Sequence, residues 1–172
     1  SAKYLRARAE FYARGVDIDT CYENLMQAQV DVQQKQELIA ELLFKTRGMV
    51  KESTHTSRIL MMAFLDVSDL LERTMASHLD YRKLHAYFDD TNILVEYRQI
   101  ILSLANELDE IGLSLNSGKA SDYDQRIDKE LVEEREHLEE LRLKLLNPSN
   151  LEGFISLRHI LDSIDDIAAR IR

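Results

Sequence analysis

Glu134-x-x-His137 has the spacing of half a carboxylate-bridged di-iron site. On a helix, positions i and i+3 share a face, so a carboxylate and an imidazole there can reach one ion together. The ferritin-like arrangement needs a second Glu-x-x-His and two further Glu on facing helices, and no second Glu-x-x-His occurs in this sequence. The pair also sits among Glu130, Glu133, Glu136, Glu139 and Glu140. The expectation is a solvated, Glu-rich helix face that holds no metal.

A second polar group is Asp66, Asp69, Glu72, Arg73 and His78. Asp69 and Arg73 stand at i and i+4, the spacing of a local ion pair. The functional alternative is a polar ligand site inside a helical bundle, with Asp69, Glu72, Arg73 and His78 as its candidate residues. His78 and His85 are too far apart in sequence to chelate one ion from a regular helix. A structural role is expected for a histidine there, capping a helix C-terminus or bonding a carbonyl. His159 and Asp162 at i+3 read as a surface pair. Cys21 is the only cysteine, so no intramolecular disulfide forms, and a packing role is expected. There is no Gly-rich phosphate loop, no cysteine pair and no Gly-x-Ser-x-Gly. The expectation is no catalytic residue, no cofactor and no enzyme.

These residues must be carried by helices. The chain has 172 residues, 5 Gly and 1 Pro, too few turn formers for a β-sandwich or barrel. With 45% hydrophobic and 31% charged residues it is globular rather than disordered. A net charge of −9 repels phosphate backbones and argues against nucleic acid as a partner. The longest apolar run, Ile59 to Leu65, falls far short of the ~20 residues that a membrane-spanning helix needs.

Spacing of apolar residues predicts the elements. A short basic helix, Lys3 to Arg14, carries Lys3, Arg6, Arg8 and Arg14 and ends at Gly15. A long helix to about Lys45 follows, with N-cap candidates at Asp17 to Asp19 and a capping box at Thr20-x-x-Glu23. The next runs to about His78, and its first half, apolar nearly all round, is expected at the bundle centre. Residues 79–88 read as a helical turn or a continuation. Ile93, Leu94, Tyr97, Ile100, Ile101, Leu104, Leu108 and Ile111 stripe another helix. Ile127, Leu131, Leu138, Leu141 and Leu145 make a narrow seam suited to a peripheral helix. After Asn147-Pro148, a capping box at Ser149-x-x-Glu152 opens a last helix with Phe154, Leu157, Leu161, Ile164, Ala168 and Ile171 in heptad steps. The expected fold is all-α, an up-down antiparallel bundle of about five to six helices.

Two stretches resemble a known family. Tyr4-Leu5-Arg6-Ala7-Arg8-Ala9-Glu10-Phe11-Tyr12 with Val16-Asp17-Ile18-Asp19 is one. Asp69-Leu70-Leu71-Glu72-Arg73 followed by Ser77-His78 and Tyr81 is the other. Both are similar to segments of the fusaric-acid-resistance-like (FUSC-like) inner-membrane proteins, in their YccS/YhfK-like branch. The resemblance implies a soluble helical region between the two membrane bundles of a multi-pass bacterial inner-membrane protein, on the cytoplasmic side. It implies kinship with exporters of aromatic acids and no catalytic residue in this region.

The ends of the chain agree with that expectation. The chain opens Ser1-Ala2-Lys3 without Met and closes at Arg172 within a helical pattern. It is expected to be a single helical domain, residues 1–172, excised from a longer protein. Basic residues near both ends, with Arg170 and Arg172 at the back, fit the lysine and arginine excess of cytoplasmic juxtamembrane segments. The expected role is structural, assembly or gating, in a transporter-like protein. Expected partners are its own membrane-spanning portions, a second copy, and a small aromatic solute. The alternative is a ligand-sensing helical bundle of a signalling receptor.

Overall fold

The computed structural model describes residues 2–49, 55–75, 79–117 and 122–172. Its elements are α1 (Ala2–Ala9), a 3-10 turn (Glu10–Tyr12), α2 (Ile18–Met49), α3 (His55–Met75), α4 (Tyr81–Phe88), α5 (Ile93–Ser117), α6 (Arg126–Leu145) and α7 (Leu151–Ile171). No strand occurs among the described residues. The fold is the expected all-α bundle. Its helix count exceeds the expectation because Tyr81–Phe88 forms a helix of its own, capped by the Asp80 side chain, which accepts from the Lys83 amide at 3.2 Å.

Side-chain pairs fix the helix directions. Arg6 reaches Asn106 and Asp109 while Glu10 meets Arg98, so α1 runs antiparallel to α5. Glu96, near the start of α5, meets His137 in the second half of α6, and Glu107, farther along α5, accepts from the Asp124 amide at the entry to α6, which sets α5 and α6 antiparallel. Arg172 pairs with Asp128, and Arg135 with Asp162 and Asp165, so α6 and α7 are antiparallel as well. Gln36 to Ser68 and Tyr22 to Leu79 do the same for α2 and α3.

Starts and stops follow local chemistry, though not always at the expected residue. Asp17, the first of the expected caps, begins α2, and Thr20 stands inside the helix: the Asp17 carboxylate accepts from the Asp19 amide at 3.2 Å and the Thr20 hydroxyl at 2.7 Å. The predicted box at Ser149 and Glu152 does not form. Asn147 organises that turn instead, its Oδ1 accepting from the amides of Ser149 and Asn150 at 2.9 and 3.1 Å. Gly15 holds φ +65°, the left-handed turn that ends the first basic segment.

The core gathers where α1, the 3-10 turn, α4, α5, α6 and α7 meet the first half of α2. Tyr4, Phe11, Phe88, Tyr97, Leu104, Ile127, Leu157 and Leu161 are fully buried there. Each contributes roughly 1.5–3 kcal/mol by leaving water. The Tyr97 hydroxyl donates to the Leu157 carbonyl at 3.0 Å, so its burial leaves no polar group unpaired. α7 buries Phe154, Leu157, Leu161, Ile164 and Ala168, as its heptad steps predict. Backbone crowding is tightest at Gly153, where a Cβ would stand 2.6 Å from Tyr87 Cδ2 and 2.9 Å from Phe88 Cε2.

The other half of α2 leaves this core. Its 32 residues span about 48 Å at 1.5 Å per residue, and burial stops at Val32. Leu38, Ile39, Leu42 and Phe44 are exposed beyond it. On α3, Met62 and Leu65 are exposed and Met61, Phe64, Val67 and Met75 are half-buried. The expectation that the first half of α3 lies at the bundle centre is therefore corrected. An apolar run specifies only that the segment avoids water; here the first half of α3 lies along the outer half of α2 as an arm, while its second half reaches the bundle, Val67 and Met75 against the core and Asp69 against Arg170 of α7.

Candidate functional site

The seam of α6 steps through Ile127, Leu131, Glu134 and Leu138, all buried. These steps of four, three and four place a carboxylate at a core position. Glu134 is 5% exposed, so the expected solvated face is wrong at this residue. Its neighbours Glu133, Glu136, Glu139 and Glu140 are exposed, as expected. The signal was present in the sequence, since Glu134 fills the gap between Leu131 and Leu138. It was masked by the surrounding glutamates.

Glu134 faces the start of α5. His137 Nδ1 lies 2.6 Å from Glu96 Oε2 and 3.7 Å from Glu134 Oε1. The Glu134 Oε1 atom is buried and makes no hydrogen bond, and Glu130 Oε2, one turn earlier on α6, is buried in the same way. Burial, then the Glu96 charge and a shared hydrogen bond with Glu96, push the Glu134 carboxyl up to about 8. The cleft around them has a volume of about 530 Å³ and is lined by six glutamates and His137. Three ligand-type groups from two helices, Glu96, Glu134 and His137, bring one donor atom each to within 4.8 Å of one another. Chemically this arrangement can share a proton between carboxylates or bind a cation.

The predicted polar group on α3 does not assemble as a site among the described residues. Asp69 pairs with Arg170 of α7 at 2.7 Å. Glu72 is exposed, as is Asp66. The Arg73 side chain and all of His78 lie outside the described residues. His85 takes the structural role expected of a histidine in this stretch. Its Nε2 meets the Phe11 carbonyl at 2.6 Å and its Nδ1 meets Asp89 at 2.6 Å, pinning α4 to the 3-10 turn. Asp162 goes to Arg135 of α6 rather than to His159. Cys21 is buried, and burial raises its thiol above the ordinary range, in keeping with packing.

A second concavity lies between α1, α5 and α7, beside the buried Arg8 and Tyr12. It is lined mainly by Leu5, Ile101, Leu104, Ile160, Ile164 and Ile167 and encloses about 70 Å³. A dry cavity that binds benzene has about 150 Å³, so an aromatic ring would enter only if α7 moved from α1. The basic residues of the first segment are held within the fold. Lys3 pairs with Asp31, Arg6 with Asp109, and Arg14 with the Thr91 carbonyl and Asn92.

Comparison with known proteins decides the family. The family model described as FUSC-like, FUSC-like inner membrane protein yccS, matches residues 1–171. The chain belongs to the FUSC-like family. No curated protein and no solved structure matches it. Of the residues that carried the FUSC-like resemblance, Tyr4, Leu5, Phe11, Tyr12, Ile18 and Tyr81 are buried packing residues, whereas Asp17, Asp19 and Glu72 are exposed. Phe11 stacks on Tyr81 with ring centroids 4.3 Å apart, Tyr12 meets Tyr81 edge-on at 5.5 Å, and Phe11 meets Tyr22 at 4.9 Å. FUSC-like proteins belong to the inner membrane, and among the described residues of this chain no helix is long and apolar enough to cross one.

Proposed function

We propose that this chain is a cytoplasmic helical region of a bacterial inner-membrane, exporter-like transporter, with an assembly or gating role and no covalent chemistry. The observation that carries the reading is the FUSC-like match over residues 1–171. The arm supports it: Leu38, Leu42, Phe44, Met62 and Leu65 are exposed apolar residues of the kind that pack against membrane-spanning portions of the same protein or a second copy.

Reporter fusions to the full-length protein test the sidedness. A green fluorescent protein placed after Arg172 should fluoresce, and alkaline phosphatase at the same point should be inactive. An active phosphatase there overturns the cytoplasmic reading. The role is tested by the double variant Leu42→Glu/Phe44→Glu. It should leave the melting temperature of the 172-residue chain within about 2 °C, because exposed positions carry little stability. In the full-length protein it should weaken assembly or export. Unchanged assembly and export would remove the arm from the mechanism.

The ligand-sensing alternative has one observation in its favour, the apolar cavity beside Arg8. At about 70 Å³ the cavity admits a small aromatic acid only if α7 moves from α1, which would let the ring enter between Leu104 and Ile164 with its carboxylate toward Arg8. A thermal upshift with benzoate that disappears in Ile164→Trp would favour that reading.

A further inference from the structure

We propose that Glu96, Glu134 and His137 form a mononuclear site for a divalent first-row transition-metal ion, Zn²⁺ foremost, tying α5 to α6. The proposal is independent of where the chain sits relative to a membrane. The donor atoms already converge, all lying within 4.8 Å of one another. Ligands at about 2.1 Å from a tetrahedral Zn²⁺ stand about 3.4 Å apart. His137 Nδ1 and Glu134 Oε1, at 3.7 Å, are close to that separation. His137 Nδ1 and Glu96 Oε2, at 2.6 Å, must open by less than about 1 Å to admit the ion, a side-chain adjustment of the partly exposed Glu96.

The second observation is the buried carboxylate. Glu134 is 5% exposed, and its Oε1 has no hydrogen-bond donor. A buried carboxylate is unfavourable unless it is protonated, paired or bound to a metal. Nearby positive side chains are engaged elsewhere. Lys129 pairs with Glu133, Lys144 with Glu140, Arg135 with Asp162 and Asp165, and Arg98 with Glu10. Two carboxylates and a neutral imidazole carry two negative charges, which a divalent ion cancels. Three protein ligands leave a fourth position for water. A mixed nitrogen and oxygen donor set favours Zn²⁺ over Mn²⁺ in the usual order of divalent affinities. The geometry also explains why one Glu-x-x-His suffices. With a single Glu from the facing helix it completes one ion's protein ligands, not two.

The test uses the 172-residue chain, stripped with a chelator, and the metal alone. Zn²⁺ titrated by calorimetry should bind one per chain with micromolar or tighter affinity. At a hundredfold excess over Kd the melting temperature should rise by about 5–10 °C. Co²⁺ in place of Zn²⁺ should give the visible absorption bands of a low-symmetry four- or five-coordinate ion. Glu134→Gln and His137→Gln should each weaken binding about 100-fold or more and abolish the Co²⁺ bands. Glu139→Gln, an exposed neighbour outside the ligand set, should bind as the parent does. Two ligand variants guard against a folding defect in one, and circular dichroism checks each. Absence of saturable one-to-one binding overturns the proposal. So does equal binding by the parent and both ligand variants, which would mean scattered surface carboxylates; the Glu96–Glu134 pair would then hold only a proton.

Discussion

The two ends of α2 differ more than their sequences do. Near its start, Leu25, Ala28 and Val32 are buried against the bundle; beyond Val32, Leu38, Ile39, Leu42 and Phe44 lie at the surface. The first end touches several elements, including Phe11 of the 3-10 turn against Tyr22, and Asp31 with Lys3 of α1. The second end has α3 beside it, joined by such contacts as Gln36 to Ser68 at 3.1 Å. A helix with neighbours on several sides can bury a wide stripe. One with a single neighbour can bury only a narrow seam. The same apolar content therefore stabilises the bundle and leaves the arm with apolar surface to spare.

The largest effect should separate the two regions directly. Leu157→Ala, at a fully buried position of α7, should cost about 3–4 kcal/mol in urea unfolding, while Leu42→Ala on the arm should stay within about 0.5 kcal/mol. Similar losses at the two positions would break the distinction. Gly153→Ala should cost about 1–3 kcal/mol, because the new methyl meets the rings of Tyr87 and the buried Phe88. A neutral result would show that α4 can shift away from α7.

A smaller effect sharpens the picture within the bundle. In chelator, Glu134→Gln should stabilise the chain at pH 8.5 by about 1–2 kcal/mol and flatten its stability between pH 5 and 8.5. The sign follows from a folded-state value raised to about 8. The stability from this proton is complete below the ordinary glutamate range, and is lost as the pH rises through about 8. A variant that keeps the parent's pH slope would assign that slope to other groups. The smallest effect is expected for Arg135→Ala. It removes half-exposed ion pairs to Asp162 and Asp165 and should cost about 1 kcal/mol or less, falling with added salt.

How far the sequence could be read depended on whether the governing contacts were local. The stripe of α5 and the heptad of α7 were readable, because helix periodicity is a property of the segment itself. The seam of α6 was readable as far as Leu141 for the same reason, while Leu145, expected to continue it, is exposed. Glu134 was not, because six glutamates in one stretch describe a solvated face unless the position between Leu131 and Leu138 is weighed separately. Glu96 carries no motif of its own. It joins the site only because α5 and α6 are antiparallel. The polar group around Asp69 had helical spacing, but that spacing could not show that Arg170, from the far end of the chain, also reaches Asp69.

Composition and periodicity by themselves determined an all-α chain, most of its helices and the core faces of α5 and α7, because each depends on the residues of one segment. Tertiary structure alone decided that the first half of α3 stands in an arm, that Arg170 reaches Asp69, and that Glu96 meets Glu134 and His137. Those outcomes depend on which surfaces remain free after distant helices have packed. No single segment's pattern contains that information.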